Sequence, residues 1–147
     1  MRIDWSQTRM QRIGILRSRR RGMEPVNALD KANDMKRRTK RFALRIVNLC
    51  RSLPRCQENK VVGNQMLRSG TSVGANYRAV CRARSQAEFI SKMAVVVEEA
   101  DETAFWLELL IESGGIPQHR LNDLLTETKQ LVAIFAASLR TAKINRT

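Results

Sequence analysis

Residues 85–113 read SQAEFISKMAVVVEEADETAFWLELLIES. The stretch opens on Ser85-Gln86-Ala87-Glu88. A serine hydroxyl there accepts from the backbone three residues on while the glutamate reaches back, the capping box that starts a helix. Phe89, Met93, Val96, Val97, Ala100, Ala104, Leu107 and Ile111 then recur every three or four residues, so one face of the helix is apolar along its length. Gly114 follows as a C-terminal stop. A helix this long with a single apolar stripe has to bury it against other helices.

Those helices lie on both sides of it. Downstream, Pro117 suits a first helical turn and opens a segment through about Lys143, with Leu121, Leu124, Leu125, Leu131, Val132, Phe135 and Leu139 as its stripe. Upstream, residues 58–84 carry Val61, Val62, Met66, Leu67, Val73, Tyr77, Val80 and Cys81 as inward candidates. Gly70 and Gly74 interrupt that run; glycine inside a helix costs about 1 kcal/mol relative to alanine, so the pair marks either a kink or a close approach of another backbone. The first helix runs from Asp30 to Leu53, ended by Pro54, with Ala32, Met35, Thr39, Phe42, Ala43, Ile46, Cys50 and Leu53 on one side. Four long helices joined by short connections predict an all-α, antiparallel up-down-up-down four-helix bundle.

The bundle is expected to occupy residues 23–147. Residues 1–22 are polar and arginine-rich, with a short Ile13-Gly14-Ile15-Leu16 patch and no sustained period, and are expected to form a disordered basic tail. Met23 is an alternative start; without residues 1–22 the net charge would fall from +13 to +7.

That charge, 27 lysines and arginines against 14 acids, points to an anionic partner such as nucleic acid or an acidic protein. It is concentrated: residues 1–41 hold 13 of the 27 basic side chains and four acids. At about 100° per residue, Arg37, Lys40, Arg41, Arg45, Arg51 and Arg55 fall opposite the apolar side of the first helix, where the one acid is Asp34. Arg78, Arg82 and Arg84 on the second helix and Lys92 on the third extend the candidate phosphate-binding set. These side chains would hold phosphates without reading bases. Lys92 can instead pair with Glu88, four residues before it. Aromatic side chains make up 5% of the chain, too few for a platform that stacks single-stranded bases.

Other chemistries find little support. No apolar run reaches the length of a membrane span. Arg19-Arg20-Arg21 is not followed by the apolar stretch an export signal requires. Cys50, Cys56 and Cys81 are odd in number and irregularly spaced, as reduced thiols of a cytoplasmic protein would be. His119 is the one histidine. No Glu-x-x-His pair, zinc-spaced cysteine set or G-x-S-x-G elbow occurs. No metal, cofactor or catalytic residue is therefore expected, and the chain reads as a non-enzyme.

The third helix carries a second feature. Phe105 and Leu109 project roughly opposite its core stripe, close to Glu98 and Glu102, with Trp106 also off the stripe. Large apolar side chains on a second face point to a subunit interface. The rival to nucleic-acid binding is a protein-interaction module in which the arginines pair with Glu98, Asp101 and Glu102 and hold an assembly together.

The segment Arg68-Ser69-Gly70-Thr71-Ser72-Val73-Gly74-Ala75-Asn76-Tyr77-Arg78-Ala79 is followed by Arg82-Ala83-Arg84-Ser85 and Glu88-Phe89-Ile90-Ser91-Lys92. Further on come Glu98-Glu99-Ala100-Asp101-Glu102 and Trp106-Leu107-Glu108-Leu109-Leu110. In this order the motifs resemble those of bacterial four-helix bundle proteins encoded in intervening sequences of 23S ribosomal RNA genes, over about residues 30–143. The resemblance implies an antiparallel four-helix subunit without catalytic residues. Relatives of that family include the accessory variability proteins of diversity-generating retroelements, so it also implies a homo-oligomer, a pentamer, that engages nucleic acid, RNA above all, and a reverse transcriptase. Residues 1–22 have no counterpart in the pattern.

Overall fold

The structure is a computed structural model and describes residues 27–145. The expected tail over residues 1–22 and the alternative start at Met23 lie outside the described residues. Four helices follow in order: α1 Ala28–Ser52, α2 Gln57–Val80, α3 Gln86–Glu112 and α4 Gln118–Ile144. No strand occurs among the described residues. Connections of four or five residues between helices of 24 to 27 residues force each helix to run back along its predecessor. Consecutive helices pack along their lengths, whereas the backbones of α1 and α4 come close at few points and those of α1 and α3 stand diagonally apart.

The helix ends follow local chemistry. Asn27 caps α1 by accepting from Leu29 N at 3.3 Å, and the Cys56 sulfur caps α2 by accepting from Asn59 N at 3.4 Å. Ser85 accepts from Glu88 N at 3.0 Å, while the Glu88 carboxylate accepts from Arg84 N at 2.7 Å, one residue before the usual capping-box donor. Gly114 ends α3 in the left-handed region at φ 72°, which a side chain would strain. The second helix stops at Val80 rather than at Arg84: Cys81 is its C-cap, and residues 81–85 form the turn into α3.

The core is apolar. Phe42, Ile46, Met66, Val73, Val96, Leu107, Leu110, Leu121, Leu131 and Phe135 are almost wholly buried, and the Tyr77 and Phe135 rings meet at 5.4 Å. Small residues set the spacing of α1 and α2. The helix runs unbroken through Gly70 and Gly74, so the glycines mark close approach and not a kink. A Cβ on Gly70 would stand 2.8 Å from Ile46 Cγ1, and one on Gly74 would stand 3.4 Å from the Thr39 carbonyl oxygen. Ser69 on α2 and Thr103 on α3 are fully buried and joined at 2.9 Å, with Thr103 also donating to Glu99 O. No buried side-chain polar atom among the described residues lacks a partner.

The inward assignments shift on two helices. Val61 is exposed, whereas Gly63, Ser69, Gly70 and Gly74 are buried in its place. The face of α2 that lies between α1 and α3 is chosen by smallness as well as by apolarity. Leu110 and Thr103 likewise join the core of α3.

Candidate nucleic-acid interface

The outer side of α1 is a bank of cations. From Ala28 to Ser52 eight lysines and arginines stand against Asp30 and Asp34. Arg37, Lys40, Arg41 and Arg45 are all exposed. Arg37 pairs with Asp34 one turn before it. Both side chains of that pair are mostly in water, so it contributes little and can be exchanged for another anion. Lys40, Arg41 and Arg45 make no ion pair among the described residues. Leu44, 53% exposed, stands in their midst.

Arg38, not singled out by periodicity, behaves differently. Its guanidinium crosses to α4 and donates to both Glu127 carboxylate oxygens at 2.8 Å and to Gln130 at 2.8 Å. That hydrogen bonding, with the charges of Arg38, Arg45 and Arg41 behind it, holds the Glu127 carboxyl below the usual carboxylate range. Arg41 and Arg45 therefore lie toward the α4 side, within the field of Glu127.

The end of α2 adds to the other flank. Gly74 faces Thr39 of α1, and Arg78, four residues on, lies on the same side of α2 one turn nearer the start of α1. Lys36 of α1 is close enough to Cys81 for its charge to act on the thiol, although burial dominates and pushes that thiol up. Arg78 and Arg82 are exposed and make no ion pair among the described residues, so they stand beside the first turns of the α1 bank. Arg84 and Lys92 are committed elsewhere. Both reach Glu88, at 3.6 and 3.4 Å, and the backbone N–H of Arg84, followed by these cations, holds the Glu88 carboxyl low.

The third helix is the reverse of the first. From Gln86 to Glu112 Lys92 is the single cation among seven acids. Arg68 of α2 clamps Glu99 at 3.4 Å and also bonds Glu102, which accepts from Trp106 Nε1 at 3.0 Å. Bonds from Arg68 and Trp106 lower the Glu102 carboxyl. Trp106 is half-buried against the core and meets the Phe105 ring edge-on at 4.8 Å. Glu108 pairs with Lys129 at 2.8 Å. Glu98, Asp101 and Glu112 are without an ion pair among the described residues, and they flank Phe105, 53% exposed, and Leu109, 38% exposed.

Thus the cations expected at a phosphate surface divide. Arg37, Lys40, Arg41 and Arg45 line the outer side of α1 with Arg78 and Arg82 on its α2 flank, whereas Arg84 and Lys92 are tied to Glu88. Of the residues expected at a subunit interface, Phe105, Leu109 and Glu98 face solvent, and Glu102 and Trp106 are linked to each other and to Arg68. Arg68 escaped sequence reading because its partners become neighbours only through the Ser69–Thr103 register. Among the described residues no three histidine, cysteine or acidic side chains converge as metal ligands, and no helix is long and apolar enough to cross a membrane.

Comparison with known proteins bears on the same residues. The family model of the 23S rRNA-intervening sequence protein matches residues 31–137. A crystal structure of a protein of unknown function from the S23 ribosomal protein family of Bacteroides thetaiotaomicron is 38% identical. It aligns with 75% of this chain and 98% of its own, at a TM-score of 0.67. No curated protein matches.

Proposed function

The chain belongs to the 23S rRNA-intervening sequence protein family, and from that premise we propose that it is a non-catalytic, self-associating bundle that binds nucleic acid through phosphate contacts. One observation carries this reading: Lys40, Arg78 and Arg82 lie exposed along the α2 side of α1 without an ion pair among the described residues, while seven acids are gathered on α3. Cations that a fold leaves unneutralised raise the local concentration of a polyanion and gain by releasing its counterions. A family named for ribosomal RNA makes RNA the first polyanion to test. The contacts are assigned to backbone phosphates, which exposed lysines and arginines neutralise without reading sequence.

Two of the three thiols are unsuited to nucleophilic chemistry. Burial pushes the Cys50 and Cys81 thiols up, away from the thiolate that would act as nucleophile. Self-association is assigned to the Phe105–Leu109 face, since exposed apolar side chains there would otherwise remain wet; a ring, pentameric as the family resemblance implies, is the expected form.

The test uses a chain beginning at Met23, which removes the seven arginines of residues 1–22. It should shift a structured RNA and a duplex DNA in low salt. Failure to bind either would end the reading. The protein-interaction alternative is favoured by the Arg68–Glu99–Glu102 clamp, and predicts that replacing Arg78 and Arg82 together by alanine lowers the oligomer mass.

A further inference from the structure

We propose that the seam between α1 and α4 of one subunit receives the outer face of α3 from a second copy of this chain. The inference rests on the reading of α3 as the self-association face and supplies the surface that this face meets.

The seam is the one place where neighbouring helices of the bundle are not closed on each other: the backbones of α1 and α4 come close at few points, whereas every consecutive pair packs along its length. Two hollows result, one at each end. One, of about 420 Å³, lies between the end of α1 and the start of α4 and is lined in part by Arg45, Leu49, Arg120 and Leu124. The other, of about 330 Å³, lies between the start of α1 and the end of α4, with Met35, Ile134 and Phe135 in its walls. The Arg38–Glu127 bridge spans the seam between them. The floor is apolar, since Met35, Leu49 and Ile134 are only half-buried there.

The lips carry a net positive charge. Arg41, Arg45 and Arg120 are exposed without ion pairs among the described residues; of the acids, Asp34 is paired with Arg37, Glu127 is bridged to Arg38, and Asp123 is exposed on α4. On α3, Glu98, Asp101, Phe105, Leu109 and Glu112 recur every three or four residues and so form a second stripe, acidic at its two ends and apolar at its centre. An apolar ridge flanked by carboxylates fits a groove whose floor is apolar and whose rims are cationic, the arrangement by which a helix lies in a groove.

A single chain thus holds both halves of the pair, and they cannot meet within one subunit because the second stripe of α3 lies away from the core face by which α3 packs on α2 and α4. The contact is heterologous: the surface given differs from the surface received. Such contacts close into rings when the rotation allows and otherwise extend as filaments. The cations are also divided between two tasks. Arg45 and Arg120, with Arg41 beside them, enter the subunit contact, while Arg37, Lys40, Arg78 and Arg82 on the α2 side stay open to a polyanion.

Charge reversal on the full-length chain, freed of nucleic acid and weighed by light scattering, tests this. Arg45→Glu with Arg120→Glu, and separately Glu98→Lys with Asp101→Lys, should each reduce the mass to the 16.8 kDa of one subunit. Mixing the two variants should restore a larger species, because each then supplies the partner of the other. Circular dichroism confirms that both remain helical. If the Arg45/Arg120 variant keeps the wild-type mass, or folded variants stay monomeric when mixed, the seam is not the receiving surface. A double change of Phe105 and Leu109 to aspartate separates the two levels. Monomers from that variant beside an unaltered Arg45/Arg120 variant would overturn the seam alone, whereas an unaltered mass from both would overturn the α3 reading itself.

Discussion

Helices α1 and α3 are built to the same plan and end with opposite surfaces. Both bury one stripe of apolar side chains, and they lie diagonally in the bundle with their backbones apart. Yet α1 carries a net charge of +6 and α3 of −6. The acids of α3 are partly neutralised inside the subunit, by Arg68 and Lys129. On α1, Arg37 has a wet partner and Arg38 is bound across to α4, whereas Lys40, Arg41 and Arg45 make no ion pair among the described residues. A fold that needed its charges for stability would have placed these two helices side by side. Their separation leaves most of these charges free for contacts outside the subunit, as the proposed reading requires: an anion on one side and an apolar-acidic contact on the other.

The comparison can be broken at several strengths. The largest expected effect falls on binding: reversing Lys40, Arg78 and Arg82 to glutamate should weaken RNA binding by roughly two to three orders of magnitude at low salt, because phosphate contacts dominate such affinity. Neutralising three acids of α3, Glu98, Asp101 and Glu112, should leave the binding of each subunit unchanged or slightly tighter. A gain from the α3 set about half as large, on a logarithmic scale, as the loss from the first, measured by fluorescence anisotropy, would show that net charge matters and location does not.

Next in size is packing beneath the basic face. Gly70→Ala forces a methyl group against the branched Ile46 side chain at 2.8 Å, and overpacking of this kind costs about 1–3 kcal/mol, only partly offset by the roughly 1 kcal/mol that alanine gains over glycine in a helix. Gly74→Ala meets the Thr39 carbonyl oxygen at 3.4 Å, close to ordinary van der Waals separation, so urea denaturation should show little loss or a small gain there. A large loss at Gly74 would mean that α1 lies nearer than the structure has it.

The smallest effects concern the cross-helix ion pair. Glu127 has its carboxyl lowered by Arg38, so the pair stabilises the fold above the unfolded carboxylate value, about pH 4.3, and that contribution is lost as pH falls through the lower folded value. Arg38→Ala should cost about 1 kcal/mol at neutral pH, as partly exposed pairs do, and should flatten the acid limb of the melting-temperature profile between about pH 5 and 3. A variant with the wild-type acid limb would place the acid sensitivity elsewhere.

Much of the fold is legible in the sequence. The capping box at Ser85, the stop at Gly114 and the apolar period from Phe89 to Leu107 define α3 by local chemistry alone. Less legible is anything that depends on which helix lies next to which. Period alone makes Val61 an inward candidate and gives no reason to expect Ser69 or Gly70 inside; both depend on how closely α1 and α3 approach α2. Arg38 and Arg68 look like any other surface cation until α4 and α3 bring Glu127 and Glu102 to them. The open seam between α1 and α4 has no sequence signal, because two helices that do not pack together leave no period to read.

The most direct measurement is the salt dependence of RNA affinity for the wild-type chain and for the Arg78→Ala, Arg82→Ala double variant, with the mass of each taken in the same buffers. Log affinity should fall linearly with log salt. The double variant should have a slope shallower by roughly 1.4–1.8, at about 0.7–0.9 for each phosphate that is no longer neutralised, and an unchanged mass. An unchanged slope together with a lower mass would contradict the account and give these arginines to the assembly instead.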